Sequence, residues 1–190
     1  AFVVALDSVP SMLDLSEIHV SSGRTRILLK SPVTRLSRCS STDNMMAGIY
    51  VYDEGAYPAE SGVVADIRIK ECSFRNVGIR DEAFPAAIVV GARAADGTLA
   101  SEPVHGSVRI SDSRFADQKQ SAIIVHGAMS AEVIDNHFFN ISTEPQANNP
   151  YGQGGNDAGL YSVYFLHTGA IKMSGNTEDL VPGVTTGFGA

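Results

Sequence analysis

The chain has 190 residues, of which 44% are hydrophobic, and it carries 14 Lys and Arg against 21 Asp and Glu. Its length and apolar content suffice for one domain, residues 1–190, with a buried core. The formal net charge of −7 argues against the broad basic surface that nucleic-acid or anionic-membrane binding needs. The sequence also has no apolar run long enough to cross a bilayer, so we expect neutral partners, with no nucleic acid and no membrane.

The chain begins with AFVVAL, an apolar strand, and then repeats one pattern around a small or polar anchor residue. VTRLSRCSS places Leu36 three residues before Cys39. VVADIRIKECSFRN places Ile69 three residues before Cys72 and Phe74 two residues after it. The same frame fits three later anchors, namely Ser113, Asn136 and Asn176. A strand that recurs while the connecting segments vary in length is typical of a solenoid.

A second set of β-rich apolar runs alternates with the first. Its members are AGIYVYD at 47–53, AAIVVGA at 86–92, SAIIVHG at 121–127 and YSVYFLHTG at 161–169. Two strand types per repeat, with no amphipathic helix between them, predict short parallel strands wound into coils. We therefore expect an all-β fold, a right-handed parallel β-helix of about five coils.

An open terminal coil would leave unpaired backbone groups exposed at the first strand. AFVVALDSVPSML also lacks the basic start and the length of a signal peptide. We expect an N-terminal segment or a partner chain to cap the first coil. On this interpretation the sequence is the C-terminal part of a longer chain and lacks N-terminal coils.

Residues at equal positions in the frame should stack in adjacent coils. Cys39 and Cys72 then form a pair of buried thiols, with a disulfide or a catalytic or metal-binding role as alternatives. The phenylalanines two residues after the anchors predict an internal aromatic stack, and the polar anchors predict a hydrogen-bonded ladder. The sequence has no Cys/His cluster at zinc-ligand spacing, and we expect no metal and no cofactor.

Two histidines, His126 and His167, end comparable strands and could lie along one outer line. The simpler interpretation makes them surface polar residues.

The densest group of aromatic and acidic residues is YVYDEGAYPAE at 50–60. Tyr50 and Tyr52 could stack on sugar rings, while Asp53, Glu54 and Glu60 could bind sugar hydroxyls or supply the carboxyl pair that glycoside cleavage needs. An ordinary solvated turn would have the same composition. Long β-helix grooves suit an oligo- or polysaccharide partner, so carbohydrate chemistry is the function that this composition favours.

RTRILLKS at 24–31, followed by AGIYVYDEGAYPAESGVVADIRIKECSFRN at 47–76, resembles the β-helix of exo-acting α-1,3-galactosidases of the blood-group-B-cleaving type and their uncharacterised relatives. The resemblance covers about residues 24–140. It implies an inverting, metal-independent glycoside hydrolase that removes terminal galactose by means of aspartates. No Asp-Asp pair, which that family carries before its arginine-rich strand, occurs in this chain.

By this resemblance, Arg24 or Arg26 would hold a sugar hydroxyl or a carboxylate, or would pair with a neighbouring coil. Glu60 in ESG would accept hydrogen bonds from a sugar, or would cap a turn. Asp53 and Glu54 complete the weak catalytic candidates, so enzymatic activity stays open. The alternatives are a polysaccharide lyase and a non-catalytic glycan-binding, adhesin or tailspike-like β-helix. In each case we expect a secreted or periplasmic bacterial protein.

Overall fold

The fold is built from strands. The computed structural model describes residues 12–23, 27–29, 32–45, 47–53, 64–77, 86–92, 98–141, 161–179 and 188–189. These residues form three six-stranded sheets in which every pairing is parallel, and none of them belongs to a helix that could cross a membrane. The predicted all-β class is confirmed, and the three parallel sheets are consistent with a parallel β-solenoid.

Each sheet takes every third strand of the chain. Sheet A contains β1 (Leu13–Ser16), β4 (Val33–Ser37), β7 (Asp66–Lys70), β10 (His105–Ser111), β13 (Ala128–Ile134) and β16 (Ala170–Ser174). Sheet B contains β2 (His19–Gly23), β5 (Ser40–Asn44), β8 (Ser73–Val77), β11 (Arg114–Gln118), β14 (His137–Ile141) and β17 (Thr177–Asp179). Sheet C contains β3 (Ile27–Leu29), β6 (Ile49–Asp53), β9 (Ala86–Ala92), β12 (Ser121–His126), β15 (Val163–Leu166) and β18 (Phe188–Gly189).

The strands group into six successive triplets, where the sequence analysis expects about five coils. The additional coil is the first, and its anchor position holds Ile18, whose carbonyl accepts a hydrogen bond from Ser40 N–H at 2.9 Å. Cys39 occupies the same place in the second coil, where its carbonyl accepts from Ser73 N–H at 2.9 Å. An isoleucine gives no small or polar signal, so the pattern missed this coil.

Each coil has three strands, whereas the sequence pattern suggests two. The first pattern spans a corner between sheets A and B, and that corner has two residues in all six coils. Its first residue has a positive φ, as in Glu71 (55°), Asp112 (53°) and Asp135 (54°). A left-handed residue turns the backbone out of the strand, and Asp adopts this conformation at lower cost than most residues. One apparent strand is therefore two strands joined at a sharp bend.

The core is a set of residue columns along the solenoid axis. The aliphatic residues three positions before each anchor are paired in register from Leu36 through Ile69 and Ile110 to Val133, and all four are buried. Beside them, the ring of Phe115 stacks between the other two phenylalanines of the frame, with centroid distances of 5.2 Å and 5.1 Å. The predicted aliphatic column and aromatic stack are confirmed.

The polar anchors form the predicted ladder. Cys72 N–H donates to Ser113 Oγ at 3.1 Å, and Ser113 N–H donates to Asn136 Oδ1 at 3.0 Å. Asn136 N–H in turn donates to Asn176 Oδ1 at 3.0 Å. Ser113, Asn136 and Asn176 thus each satisfy a backbone donor of the preceding coil, which would otherwise be buried without a partner at the corner.

The two cysteines are free and buried, as the thiol-pair interpretation predicts. Their sulfurs lie near strand-end carbonyls, with Cys39 Sγ 3.4 Å from Ser37 O and Cys72 Sγ 3.3 Å from Lys70 O. A hydrogen bond to Cys39, together with burial, raises the pKa of Cys72 above its ordinary value. The Cys72 thiol is therefore protonated at neutral pH.

The rings of the two histidines, tilted by 58° with centroids 5.8 Å apart, lie next to each other in adjacent coils. His167 is exposed, but His126 is fully buried, so the surface interpretation is wrong for His126. Its Nε2 donates to Ala100 O at 2.8 Å, and its Nδ1 accepts from Ala92 N–H at 3.3 Å. These two bonds compensate the burial of the imidazole ring.

Candidate functional site

The outward face of sheet A carries a continuous line of charged side chains. One register position runs through all six strands of the sheet. We call this line the charged column, and its members are Asp14, Arg35, Arg68, Arg109, Glu132 and Lys172. Because side chains alternate between the two faces of a strand, these residues point outward while their neighbours fill the core.

A cleft of about 340 Å³ lies along this column. Its polar lining comes from four adjacent strands of sheet A, including Asp66, Ser107 and Ser130 next to the column. A second cleft of about 280 Å³ lies over Lys70, Ser111 and the adjoining residues. Arg68 and Arg109 line both clefts. The two arginines are therefore the centre of the open face.

The carboxylates of the cleft are held by neighbouring donors. Asp66 accepts from Arg68 Nε at 3.0 Å and from Ser107 Oγ at 2.7 Å. Glu132 accepts from Arg109 Nη1 at 2.8 Å. The two arginine side chains are 56% and 51% exposed, so solvent weakens these ion pairs. The contacts orient the side chains across the cleft more than they stabilise the fold.

The two acidic residues of the cleft are widely separated. Asp66 lies two strands from Glu132 and two residues away along the strand direction. Standard strand dimensions place their Cα atoms about 12 Å apart. Each carboxylate is bonded to its own arginine, Asp66 to Arg68 and Glu132 to Arg109, so the two carboxylates are separate contact points for a ligand along the cleft.

The residues proposed from the sequence lie elsewhere. Tyr50 is in sheet C, where it packs with Val89, Ile124 and Tyr164 and is 1% exposed. Its role in sugar binding stays a prediction. Tyr52 and Asp53 end β6, in register with Gly91 and Ala92; the structure describes their backbone and not their side chains.

Four further candidates fall outside the described residues, and their roles stay predictions. They are Arg24, Arg26, Glu54 and Glu60.

The cleft residues themselves were missed, although the repeat frame contained a signal. Every member of the charged column stands four residues before the anchor position of its coil, between two inward-facing positions. In DIRIK, for example, Arg68 separates the buried Ile67 and Ile69. Comparing the outward positions of the frame, as well as its apolar ones, would have revealed the column.

The described residues contain no group of three or more His, Cys, Asp or Glu side chains suited to holding a metal ion.

Comparison of the chain with protein-family models, with curated proteins and with solved structures gives no match. The resemblance to exo-α-1,3-galactosidases consequently rests on the quoted segments alone.

Proposed function

We propose that this chain is a carbohydrate-binding β-solenoid that holds an oligo- or polysaccharide against the outward face of sheet A. The observation that carries the proposal is the open cleft of about 340 Å³, lined by charged and hydroxyl side chains from successive coils. A polymer laid across several coils would meet such side chains at every strand.

The chemistry of the lining supports a sugar ligand. Sugar hydroxyls both donate and accept hydrogen bonds, and the cleft offers carboxylates as acceptors, guanidinium groups as donors and serine hydroxyls as either. Asp66 and Glu132 are already oriented by Arg68 and Arg109, which lowers the cost of ordering them around a ligand.

We also infer the finer features that the sequence suggests. The coils are right-handed, because crossover connections between parallel strands of one sheet are right-handed in about 98% of cases. A glycan partner agrees with a secreted or periplasmic location. Hydrolysis of a terminal α-galactoside is the enzymatic form of the proposal, and it rests on the resemblance of residues 24–31 and 47–76.

The test combines binding with turnover. The purified chain is incubated with α- and β-galactosides and with polysaccharides, with and without EDTA, while bound glycan, released galactose and new double bonds are measured. Glycan binding supports the proposal; galactose release unaffected by EDTA adds the hydrolase activity. Unsaturated products whose formation EDTA abolishes would show lyase activity in place of hydrolase activity.

A matched pair of variants locates the binding site. Ser130→Ala removes a cleft hydroxyl, and we expect it to weaken glycan binding by about two-fold to ten-fold, the effect of one ordinary hydrogen bond. Ser73→Ala makes the same change at an exposed residue of sheet B that lines neither cleft, and should leave binding unchanged. Equal effects of the two substitutions, or binding by neither the parent chain nor the control, would overturn the proposed site.

A further inference from the structure

We propose that the sheet A face selects an anionic glycan rich in carboxylate groups. This inference rests on the glycan-binding function proposed above and names its ligand class. It starts from three members of the charged column, Arg35, Arg68 and Arg109, which lie at one register position in three adjacent strands.

Three arginines in such positions repel one another. Adjacent parallel strands lie about 4.8 Å apart, well within the Debye length of about 8 Å at physiological ionic strength. Like charges at directly paired positions destabilise a sheet. Folding does not require this arrangement, because the next outward column of the same sheet places the uncharged Ser107 and Ser130 at paired positions. A ligand that bridges the arginines would relieve their repulsion.

The arginines retain capacity for a ligand. The bond from Arg68 to Asp66 uses Nε, and the bond from Arg109 to Glu132 uses Nη1. Each bond occupies one nitrogen of a guanidinium group, which has five N–H donors. With more than half of each side chain exposed, the remaining donors face solvent and can bind a carboxylate.

The charge of this face differs from the charge of the chain. Among the outward side chains of sheet A, five are basic and three are acidic, although the whole chain has a net charge of −7. The basic members are Arg35, Arg68, Lys70, Arg109 and Lys172, and the acidic members are Asp14, Asp66 and Glu132. The expectation of neutral partners came from the net charge, which conceals this local excess of positive charge.

The acidic part of the corner between sheets A and B would help to hold an anionic polymer on the column. Glu71, Asp112 and Asp135 stand at the corner that borders sheet A, in three successive coils. Their carboxylates repel a polyanion that spreads from the column toward sheet B. Nucleic acids bind broad basic surfaces through their phosphates, and the same acidic corner residues would repel them. The face therefore suits a narrow anionic chain lying along the arginines.

The experiment compares two forms of one polymer. Binding of the full chain to polygalacturonate and to methyl-esterified polygalacturonate is measured by titration at low and physiological salt. We expect tighter binding of the carboxylated form, and we expect added NaCl to weaken it because salt screens exposed charges. Replacing both central arginines, Arg68→Gln with Arg109→Gln, should weaken binding of polygalacturonate by at least about ten-fold, given the strength of charge-assisted hydrogen bonds.

The matched control is Arg114→Gln, which removes the same charge from an exposed position of sheet B. It should change affinity by less than about two-fold, and circular dichroism of all variants checks that the fold is kept. Equal, salt-insensitive binding of the esterified polymer would overturn this inference while leaving glycan binding intact. If the chain binds neither polymer and no other glycan, both this inference and the proposed glycan-binding function are overturned. If double-stranded DNA binds as tightly as polygalacturonate, the face is a general polyanion-binding surface and the inferred selectivity for glycans is overturned.

Discussion

The anchor ladder gives the sharpest test of what holds the coils together. Asn136 is 1% exposed, and its side chain bonds to two backbone groups of the preceding coil. Its Oδ1 accepts from Ser113 N–H at 3.0 Å, and its Nδ2 donates to Ile110 O at 3.0 Å. Asn136→Ala removes both partners. A buried polar group left without a partner costs about 1–3 kcal/mol, so the free energy of unfolding should fall by about 2–6 kcal/mol.

Asn136→Ser is the matched control, because serine already fills this position in the preceding coil. There, Ser113 Oγ accepts from Cys72 N–H at 3.1 Å and donates to Ser111 O at 2.9 Å. A serine at 136 should therefore still accept from Ser113 N–H but fail to reach Ile110 O. We expect it to lose about half of what the alanine variant loses.

Urea unfolding followed by far-ultraviolet circular dichroism measures both variants. The midpoint should fall in the order parent, Asn136→Ser, Asn136→Ala, with an unchanged dependence on urea concentration. A loss below about 1 kcal/mol for the alanine variant would refute the reasoning, because one orphaned buried group already costs that much. Equal losses for alanine and serine would also refute it, since the ladder would then contribute no specific hydrogen bond.

Two further changes test the core columns. Phe115→Leu removes two stacked ring contacts and should lower the free energy of unfolding by about 1–3 kcal/mol. The same change at Phe139, which is 45% exposed, should lower it by less than about 0.5 kcal/mol. Thermal or urea unfolding measures both variants, and equal losses would contradict a stabilising role of the aromatic stack. Because the pKa of Cys72 is raised in the folded chain, its thiol stabilises the fold below the ordinary thiol value of about 8.5, and this contribution is lost as pH rises above it. The free energy of unfolding of the parent, relative to that of Cys72→Ala, should therefore decline by up to about 1.4 kcal/mol per pH unit above 8.5. Urea titrations at several pH values measure this difference, and a difference that stays constant would rule out the raised pKa of Cys72.

Much of the fold could be predicted because a solenoid repeats its local environment. Residues at one position of the frame become neighbours in adjacent coils, so the spacing from Ile69 to Cys72 to Phe74 predicts three columns at once. The pattern did not reveal the bend between sheets A and B. That bend depends on the left-handed backbone of residues such as Glu71, and glutamate has no particular preference for that conformation.

The candidate site was harder to predict, because the frame was defined by its inward residues. A search for aromatic and acidic density led to residues 50–60, whose described strand, β6, belongs to sheet C. The clefts lie on sheet A, where the charged column takes one residue from each coil and so forms no local cluster in the sequence. His126 was misjudged for a related reason, since a polar strand end can be buried when backbone groups of nearby segments satisfy it.

The constant corner between sheets A and B has a consequence for how such a protein can grow or be engineered. Two residues link the sheets in every coil, while the link from B to C varies from 2 to 21 residues and the link from C to A from 1 to 12. Sheets A and B thus keep one fixed relation, and differences in length are placed at the other two corners. Duplicating a whole coil would extend sheet A by one strand without disturbing its spacing. Foreign peptides could be inserted beside sheet C while sheet A keeps its pitch.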